Sequence, residues 1–380
     1  MNRPRRDFAL EVYFSRYEFS VRYNLAGSDA ESYSVQELLA LGSEEDRREF
    51  ASLGLGYTET YGAPELRAAI ARTYENPAIG SGHVLTFAGA QEALYTVARV
   101  LLDPADHVIV ITPNYQSAET MPLSICEATG IPLDPDRGWA LDVDRLIAAI
   151  RPNTKLISLN FPNNPTGAII PADSQRGIIE ACRHHGIWLF SDEVFRLMES
   201  DPSRQLPQAA DIYERAFSLN VMSKAYGLPG LRIGWIACRD REILPRLERY
   251  KHYLSICNSA PSEVLARIAL EHRDSILERN RGIVAANLDA LDAFFAEHGE
   301  RFEWSRPDGS CVAFPRYRGA EGAESFAGAL VEQTGVLLLP PSVYRSDLAP
   351  TPTDRFRIGF GHRHTPQALS VLRDWLASRA

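Results

Sequence analysis

Short apolar runs rich in β-branched and aromatic residues alternate with amphipathic stretches through the middle of this 380-residue chain. In order, the runs are HVLTFAG, HVIVITPNY, KLISLNFP, GIWLFSDE, RAFSLNVMSK and RIGWIAC. Runs such as VIVI and IWLF are apolar on both faces, which is typical of strands in a parallel sheet that helices cover on each side. The sequence therefore predicts an α/β fold, a three-layer sandwich around a mostly parallel sheet.

A change of pattern after about Arg239 predicts a second, smaller domain. Helical patterns dominate there until short strand patterns appear near CVAFPRYRG, GVLLLP and DRFRIGFGH. We therefore predict a large domain over 46–255 and a small α+β domain over 256–380, because a chain of this length exceeds the usual size of one core. The N-terminal segment, 1–45, is expected to pack on the small domain or on a second subunit.

Composition excludes several classes of partner. The net charge of −9 comes without a basic cluster, which argues against binding to nucleic acid. No run of 18 apolar residues is present, and the basic start MNRPRRDFAL lacks the apolar core of a signal peptide, so we expect a cytoplasmic protein without membrane contact. Five scattered cysteines and two histidine pairs, His184 with His185 and His362 with His364, lack the spacing of a metal site, and no metal is assigned. The expected partner is a small molecule.

Lysine is scarce in this chain. Of 40 basic residues only Lys155, Lys224 and Lys251 are lysine. Lys224 directly follows an apolar strand pattern, and a desolvated lysine has a lowered pKa and a neutral amine that can form imines. Arg232, eight residues later, could hold a phosphate through its planar fork. A surface lysine and a structural arginine remain the alternative reading.

Other polar residues stand where the predicted strands end, and such ends usually converge on one crevice. Ala90 and Gln91 begin a helix with no Ser, Thr, Asp or Asn at its cap, so an anion could cap it, although water could as well. Asp192 could face a pyridinium nitrogen, Asn164 a phenolic oxygen, and Tyr115 a planar ring. The structural alternatives are a surface acid for Asp192, a turn residue for Asn164 and a core aromatic residue for Tyr115.

Six motifs in order resemble the class I/II aminotransferases of the aspartate aminotransferase fold, which are pyridoxal 5'-phosphate (PLP) enzymes of fold type I. The motifs are GAQEAL, PNYQS, NFPNNPTG, SDEVF, SKAYGLPGLRIGW and FRIGFG. The resemblance implies a homodimer with PLP as cofactor, held as a Schiff base on Lys224. It implies these further roles: Asp192 at the pyridine nitrogen, Asn164 at the ring oxygen, Tyr115 stacked on the ring, Ala90, Gln91, Ser223 and Arg232 at the phosphate with Tyr57 from the second subunit, and Arg357 at the substrate α-carboxylate.

Two positions depart from the family pattern. Phe195 stands where most members have a tyrosine, and it cannot hydrogen-bond the phenolic oxygen of the cofactor. Val221 stands where a hydroxyl residue usually assists the phosphate. We expect a less stabilised phenolate and a larger share of phosphate binding for Arg232 and the helix amides.

The motifs leave the reaction open. The family favours transfer of the amino group of an L-amino acid to a 2-oxo acid. A partial resemblance to capreomycidine synthase and to other arginine-directed PLP enzymes implies instead a cyclase or eliminase acting on a hydroxylated arginine, with Glu18 meeting the guanidinium. Asp29 and Glu31 are also available, and all three acids could equally be solvated. A scaffold without catalysis is disfavoured because Lys224 and its predicted partners are intact.

Overall fold

The computed structural model describes residues 6–379. Strands of this part of the chain form one large sheet and several short pairs. They are β1 (Tyr23–Asn24), β2 (Val84–Phe87), β3 (His107–Thr112), β4 (Glu127–Pro132), β5 (Thr154–Asn160), β6 (Trp188–Asp192), β7 (Ala216–Val221), β8 (Gly234–Ala237), β9 (Phe302–Glu303), β10 (Val312–Ala313), β11 (Arg316–Tyr317), β12 (Val336–Leu337) and β13 (Ile358–Gly359).

The described residues also form fourteen α-helices. They are α1 (Ala9–Tyr17), α2 (Val35–Leu41), α3 (Glu44–Ala51), α4 (Pro64–Ala71), α5 (Ala90–Leu101), α6 (Ser117–Leu123), α7 (Val143–Ala148), α8 (Ala172–His185), α9 (Ala209–Ile212), α10 (Ile243–Lys251), α11 (Ala260–Glu271), α12 (Arg273–Glu297), α13 (Gly322–Thr334) and α14 (Thr365–Ala377). No helix between residues 6 and 379 is long and apolar enough to cross a membrane.

The large sheet has seven strands in the order β2-β8-β7-β6-β5-β3-β4. β8 is antiparallel to both of its neighbours, and the other pairs are parallel. Each of the six apolar runs in the sequence contains one of these strands, except that β5 begins one residue before its run, at Thr154. The seventh, β4, has the sequence EATGIP and was not predicted, because it lies at the sheet edge and carries little apolar pattern.

Both faces of the sheet are buried under helices. In β3, Val108 and Val110 belong to the apolar cluster that contains α5, whereas Ile109 and Ile111 belong to the cluster that contains α7 and α8. Alternate residues of a strand point to opposite faces, so the strand separates two apolar layers. The predicted three-layer α/β sandwich is confirmed.

The N-terminal segment packs against the short strands near the end of the chain. β1 pairs in parallel with β12, with Tyr23 opposite Val336, and the Gly359 amide donates a hydrogen bond to the Leu25 carbonyl at 2.6 Å. Helix α11 packs against α2 and α4. The predicted divisions at residues 45 and 255 stay predictions, and the parts of the outer units at 1–5 and 380 lie outside the described residues.

Candidate active site

A cavity of about 650 Å³ opens beyond the carboxyl ends of β5, β6 and β7. Asn160 and Asp192 end adjacent parallel strands in direct register, and Lys224 lies three residues after the end of β7. Ten of the eleven residues predicted for the site line this cavity: Glu18, Ala90, Gln91, Tyr115, Asn164, Asp192, Ser223, Lys224, Arg232 and Arg357. The convergence at strand ends is therefore observed, while the role of each residue stays a prediction.

The amine of Lys224 is held against the N-terminal segment. Its Nζ donates a hydrogen bond to the Ser28 hydroxyl at 2.7 Å and lies 5.5 Å from the ring centre of Phe195. Burial lowers the pKa of Lys224, although the charges of Asp29 and Asp192 oppose that effect. A lowered pKa increases the fraction of neutral amine, which is the form that can act as a nucleophile or a base.

Asp192 is a half-buried carboxylate, and no cationic side chain among residues 6–379 is bound to it. Burial raises its pKa to about 6, against the opposing effects of the Val194 amide, 3.2 Å from Oδ1, and the charge of Lys224. None of the ion pairs found among residues 6–379 includes Asp192. A cationic group facing this carboxylate would relieve the cost of its burial, and a protonated pyridine nitrogen fits that requirement.

The start of α5 forms a cradle for an anion. Its cap residue, Gly89, has φ +86° and offers no side chain to the first amides of the helix. A Cβ on Gly89 would come within 2.5 Å of Arg232 Nη2, so the guanidinium lies directly over the glycine. Ser223 lines the same cavity and is buried. Free helix amides beside a guanidinium fit a phosphate group.

Arg357 is only 1% exposed, yet none of the ion pairs among residues 6–379 includes it. Its Nη1 donates to Asn164 Oδ1 at 3.0 Å, its Nη2 donates to the Ala26 carbonyl, and its Nε has no hydrogen-bond partner within the described chain. A buried guanidinium with no carboxylate partner among the described residues fits the α-carboxylate of a substrate.

Tyr344 is a contributor to the site that sequence reasoning missed. Its hydroxyl donates to Asn164 Oδ1 at 3.1 Å, so that oxygen accepts from both Tyr344 and Arg357. The Asn164 amide nitrogen is thereby oriented away from these donors and left to donate elsewhere. Tyr344 lies in a short turn with the sequence PSVY. Nothing in that sequence indicates that Tyr344 contacts Asn164, which lies 180 residues earlier in the chain.

Tyr115 forms one wall of the cavity. Its hydroxyl donates to Glu11 Oε1 at 2.9 Å, and its ring lies 4.9 Å from that of Phe8. Burial and the charge of Glu11 raise the pKa of Tyr115, so it stays neutral. A tyrosine fixed at both its hydroxyl and its ring presents a steady aromatic surface to the cavity.

Three carboxylates from the N-terminal segment face the same cavity: those of Glu11, Glu18 and Asp29. Burial raises the pKa of Glu18, and the charges of Glu11 and Asp29 raise it further. For Asp29, burial would raise the pKa, but His362, 3.5 Å away, and Lys224 lower it overall. Glu31, the third acid considered from the sequence, does not line the cavity and instead faces His362 at 3.5 Å.

Tyr57 is the predicted site residue that lies outside the cavity. It is 91% exposed and belongs to the segment between α3 and α4. Its contact with a phosphate in a second subunit stays a prediction. The two departures from the family pattern, Phe195 and Val221, both line the cavity, and Phe195 is 1% exposed.

The fold and this cavity define a class of proteins. A mostly parallel seven-stranded sheet with a lysine, a carboxylate and an anion cradle at its strand ends is the architecture of PLP-dependent enzymes of fold type I. The chain belongs to the class I and II aminotransferase family, whose family model matches residues 35–374. The resemblance predicted from the motifs is confirmed, and with it PLP as the cofactor.

Similar proteins include both aminotransferases and other enzymes. A PLP-dependent aminotransferase from Streptococcus suis 89-1591 has a crystal structure with a TM-score of 0.91 and 30% identity over 99% of both chains. Capreomycidine synthase of Streptomyces vinaceus is 30% identical over 358 residues, which are 92% of this chain and 88% of that protein. The crystal structure of the PLP-dependent cyclase OrfR has a TM-score of 0.87 and 25% identity over 100% of this chain and 99% of the other.

Proposed function

We propose that this chain is an aminotransferase that moves the amino group of an L-amino acid to a 2-oxo acid, with PLP bound covalently through Lys224. The position of Lys224 carries the proposal. Of the three lysines, Lys224 alone lines the cavity; Lys155 lies in β5, and Lys251 is fully buried away from it. When bound, PLP supplies an electron sink that stabilises a carbanion at the substrate α-carbon.

The cavity offers a partner for each end of such a cofactor. Asp192 would keep the pyridine nitrogen protonated, and the Asn164 amide would donate to the ring oxygen. The α5 amides, Ser223 and Arg232 would bind the phosphate. The support is that Asp192 binds no cationic side chain among residues 6–379, that the first amides of α5 have no side-chain cap, and that the Asn164 amide nitrogen is turned away from its other contacts.

Two residues would act on the substrate itself. Arg357 would bind the α-carboxylate through its fork, which fixes the α-carbon relative to Lys224. Lys224, with its pKa lowered by burial, would remove the α-proton as a general base. Its hydrogen bond to Ser28 would orient the amine whenever the lysine is not bonded to the cofactor.

The acidic side of the cavity suggests the class of amino donor. Glu11, Glu18 and Asp29 face the same space, and the mutual repulsion that contributes to the raised pKa of Glu18 would be relieved by a cation. We infer that the donor carries a positive charge on its side chain. A guanidinium suits this position because it can donate to two carboxylates at once.

The function can be tested by product analysis. The PLP-loaded protein is incubated with arginine, lysine or a neutral amino acid, each with pyruvate or 2-oxoglutarate, and products are identified by mass spectrometry. We expect amination of the 2-oxo acid with a cationic donor, and no product with Lys224→Ala. Absence of amination with every donor would contradict the proposal.

A second candidate is a cyclase or eliminase acting on a hydroxylated arginine. It is favoured by similarity over nearly the whole chain to capreomycidine synthase and to the cyclase OrfR, and by Phe195, which withholds a hydroxyl from the ring oxygen. Loss of water from a hydroxyarginine in the absence of any 2-oxo acid would establish this candidate, while amination without water loss would exclude it.

We further propose a homodimer in which Tyr57 reaches the cofactor of the second subunit. An exposed apolar patch supports it, formed by Leu55 and Tyr57 together with Tyr253, Leu254 and Ile256. The two segments are joined, since the Thr58 hydroxyl donates to the Asn258 carbonyl at 2.9 Å. Large exposed apolar patches commonly mark protein interfaces.

A further inference from the structure

His362 stands between two carboxylates behind the cavity wall. Its Nε2 lies 3.5 Å from Asp29 Oδ1, and its Nδ1 lies 3.5 Å from Glu31 Oε2. Asp29 lines the cavity, whereas His362 and Glu31 do not. The imidazole therefore does not line the cavity itself, but it is paired with a residue that does.

The backbone fixes this arrangement. A Cβ on Gly359 would overlap the carbonyl of Gly27, and a Cβ on Gly361 would overlap the carbonyl of Asp29, so the two segments lie in direct contact. The Glu31 amide also donates to the Gly361 carbonyl at 2.9 Å. From α12, the Asn287 amide donates to the His362 carbonyl at 2.8 Å. Asp29 and His362 are thereby held in a fixed relation.

Both acidic and basic side chains surround the pair formed by Asp29 and His362. His362 faces the two carboxylates and stacks on His364, with ring centres 5.4 Å apart. Burial alone would lower the pKa of His362, but Asp29 and Glu31 raise it overall. Two acids around one imidazole favour its charged form, which would place a cation on the side of Asp29 away from the cavity.

On the cavity side, Asp29 acts on Lys224. The charged or ionisable groups that act on the lysine are Asp29, Asp192, Arg357, Cys311 and Glu18. A buried carboxylate beside a lysine normally favours the ammonium form, which can neither attack a carbonyl nor accept a proton. The lysine pKa is nevertheless lowered. Burial is the largest cause of that lowering, and a cation beside Asp29 would weaken the opposing effect of the carboxylate on the amine.

We propose that His362 is a positioning residue that fixes the Asp29 carboxylate beside Lys224 and shares its negative charge, leaving the lysine amine free to react. The inference rests on the proposed role of Lys224, which it deepens. Asp29 then attracts a cationic group in the cavity without holding the lysine as a permanent ammonium. Without His362, the whole charge of Asp29 would act on Lys224.

The small number of lysines makes a direct test practical. In cofactor-free protein labelled with ¹³C at the lysine ε-carbon, three signals are expected, and Lys155→Arg and Lys251→Arg assign them. We expect His362→Asn to raise the titration midpoint of Lys224 by about one pH unit. The matched control is His364→Asn, which removes the stacked neighbour that has no contact with Asp29, and it should leave the midpoint in place.

A coupled variant identifies the route of the effect. With Asp29→Asn already present, His362→Asn should no longer raise the Lys224 midpoint, since there is no carboxylate charge to share. An unchanged midpoint in His362→Asn with Asp29 intact would overturn the proposal. A shift of the same size in the absence of Asp29 would also overturn it.

A second measurement needs no change at position 362. In the unsubstituted protein, the His362 ring signal should titrate above the ordinary histidine value of about 6.5, and Asp29→Asn should lower that midpoint. A normal or lowered midpoint would contradict the proposal even if the variants fold poorly. Both measurements use cofactor-free protein, so a failure to detect amino transfer leaves them unaffected, and their failure leaves the proposed reaction standing.

Discussion

The guanidinium of Arg232 lies directly over Gly89, so close that a Cβ at this glycine would come within 2.5 Å of Nη2. Gly89 also has φ +86°, a conformation that residues with side chains rarely adopt. The glycine therefore lets an arginine and the first amides of α5 face the same small space. A side chain there would displace the arginine from the cradle.

Gly89→Ala should weaken the binding of PLP. Losing a charge-assisted hydrogen bond costs about 1.5–3 kcal/mol, which corresponds to roughly a tenfold to hundredfold rise in Kd. The measurement is an absorbance titration of cofactor-free protein with PLP. Gly328→Ala, in α13 with open space around it, is the control and should bind normally. Equal affinity in both variants would argue against a phosphate in the cradle.

Asp192 should make the cofactor-free protein less stable as pH rises. Its folded pKa of about 6 lies above the ordinary value of 3.8, so its contribution to stability is greatest below pH 4 and is lost as pH rises through 6. Asp192→Asn should therefore stabilise the protein at pH 7.5, by on the order of 2 kcal/mol, and by less at pH 5. Urea unfolding at pH 7.5 and at pH 5 measures the change in the free energy of unfolding. A gain that does not grow with pH would show that Asp192 is not strained by burial.

Phe195→Tyr should lower the pKa at which the visible absorbance of the bound cofactor changes. The phenyl ring of Phe195 is buried in the cavity wall, and a hydroxyl there could donate a hydrogen bond that stabilises a phenolate. The measurement is a spectroscopic pH titration of the PLP-loaded protein. Phe19→Tyr, at an exposed position of the cavity lining, is the matched control. An unchanged pKa in Phe195→Tyr would mean that position 195 does not face the ring oxygen.

Glu18→Gln should weaken the binding of a cationic donor. Glu18 is only half-buried, so the loss is expected to be about 1 kcal/mol, or roughly a fivefold rise in KM. The informative quantity is the ratio of KM for a cationic donor to KM for a neutral one. Glu45→Gln, on the exposed face of α3, should leave that ratio unchanged. If Glu18→Gln also leaves it unchanged, the residue does not contact the donor side chain.

Hybrid dimers can test whether Tyr57 acts across subunits. Subunits with Lys224→Ala and subunits with Tyr57→Phe are unfolded, mixed and refolded together. If Tyr57 serves the other subunit, each hybrid contains one site with both native residues, and tight PLP binding should return at that site. If Tyr57 serves its own subunit, no site in the mixture regains both residues. Light scattering of the unmixed protein should give the mass of a dimer.

The sequence predicted six strands of the sheet, among them the edge strand β2, but missed β4 at the opposite edge for a physical reason. Strands buried on both faces must be apolar throughout, so β3 and β6 stand out as VIVI and IWLF. β4 is partly exposed at the edge, where its backbone pairing with β3 defines it and its side chains do not. Patterns of hydrophobicity report burial, and β4 has little of it, whereas all four residues of β2 at the opposite edge are buried.

The candidate site also contains residues that the sequence could place and residues that it could not. Residues that directly follow predicted strands, such as Asp192 and Lys224, could be placed because parallel strands end together. Tyr344 and His362 could not, because their partners lie some 180 and more than 330 residues away in the chain. His362 was considered only as a metal ligand, since its pattern gave no indication of Asp29. Arg357 could be assigned only through the family resemblance.

The pairing of β1 with β12 has a consequence for synthesis of the protein. The segment that carries Ser28 and Asp29 leaves the ribosome first, but its partners at Val336 and Gly361 leave it more than 300 residues later. Non-local pairings of this kind form late, because the intervening loop must close before they can stabilise the chain. The wall against which Lys224 rests is therefore expected to assemble last. A nascent or prematurely ended chain would hold its central sheet while Lys224 remained open to water.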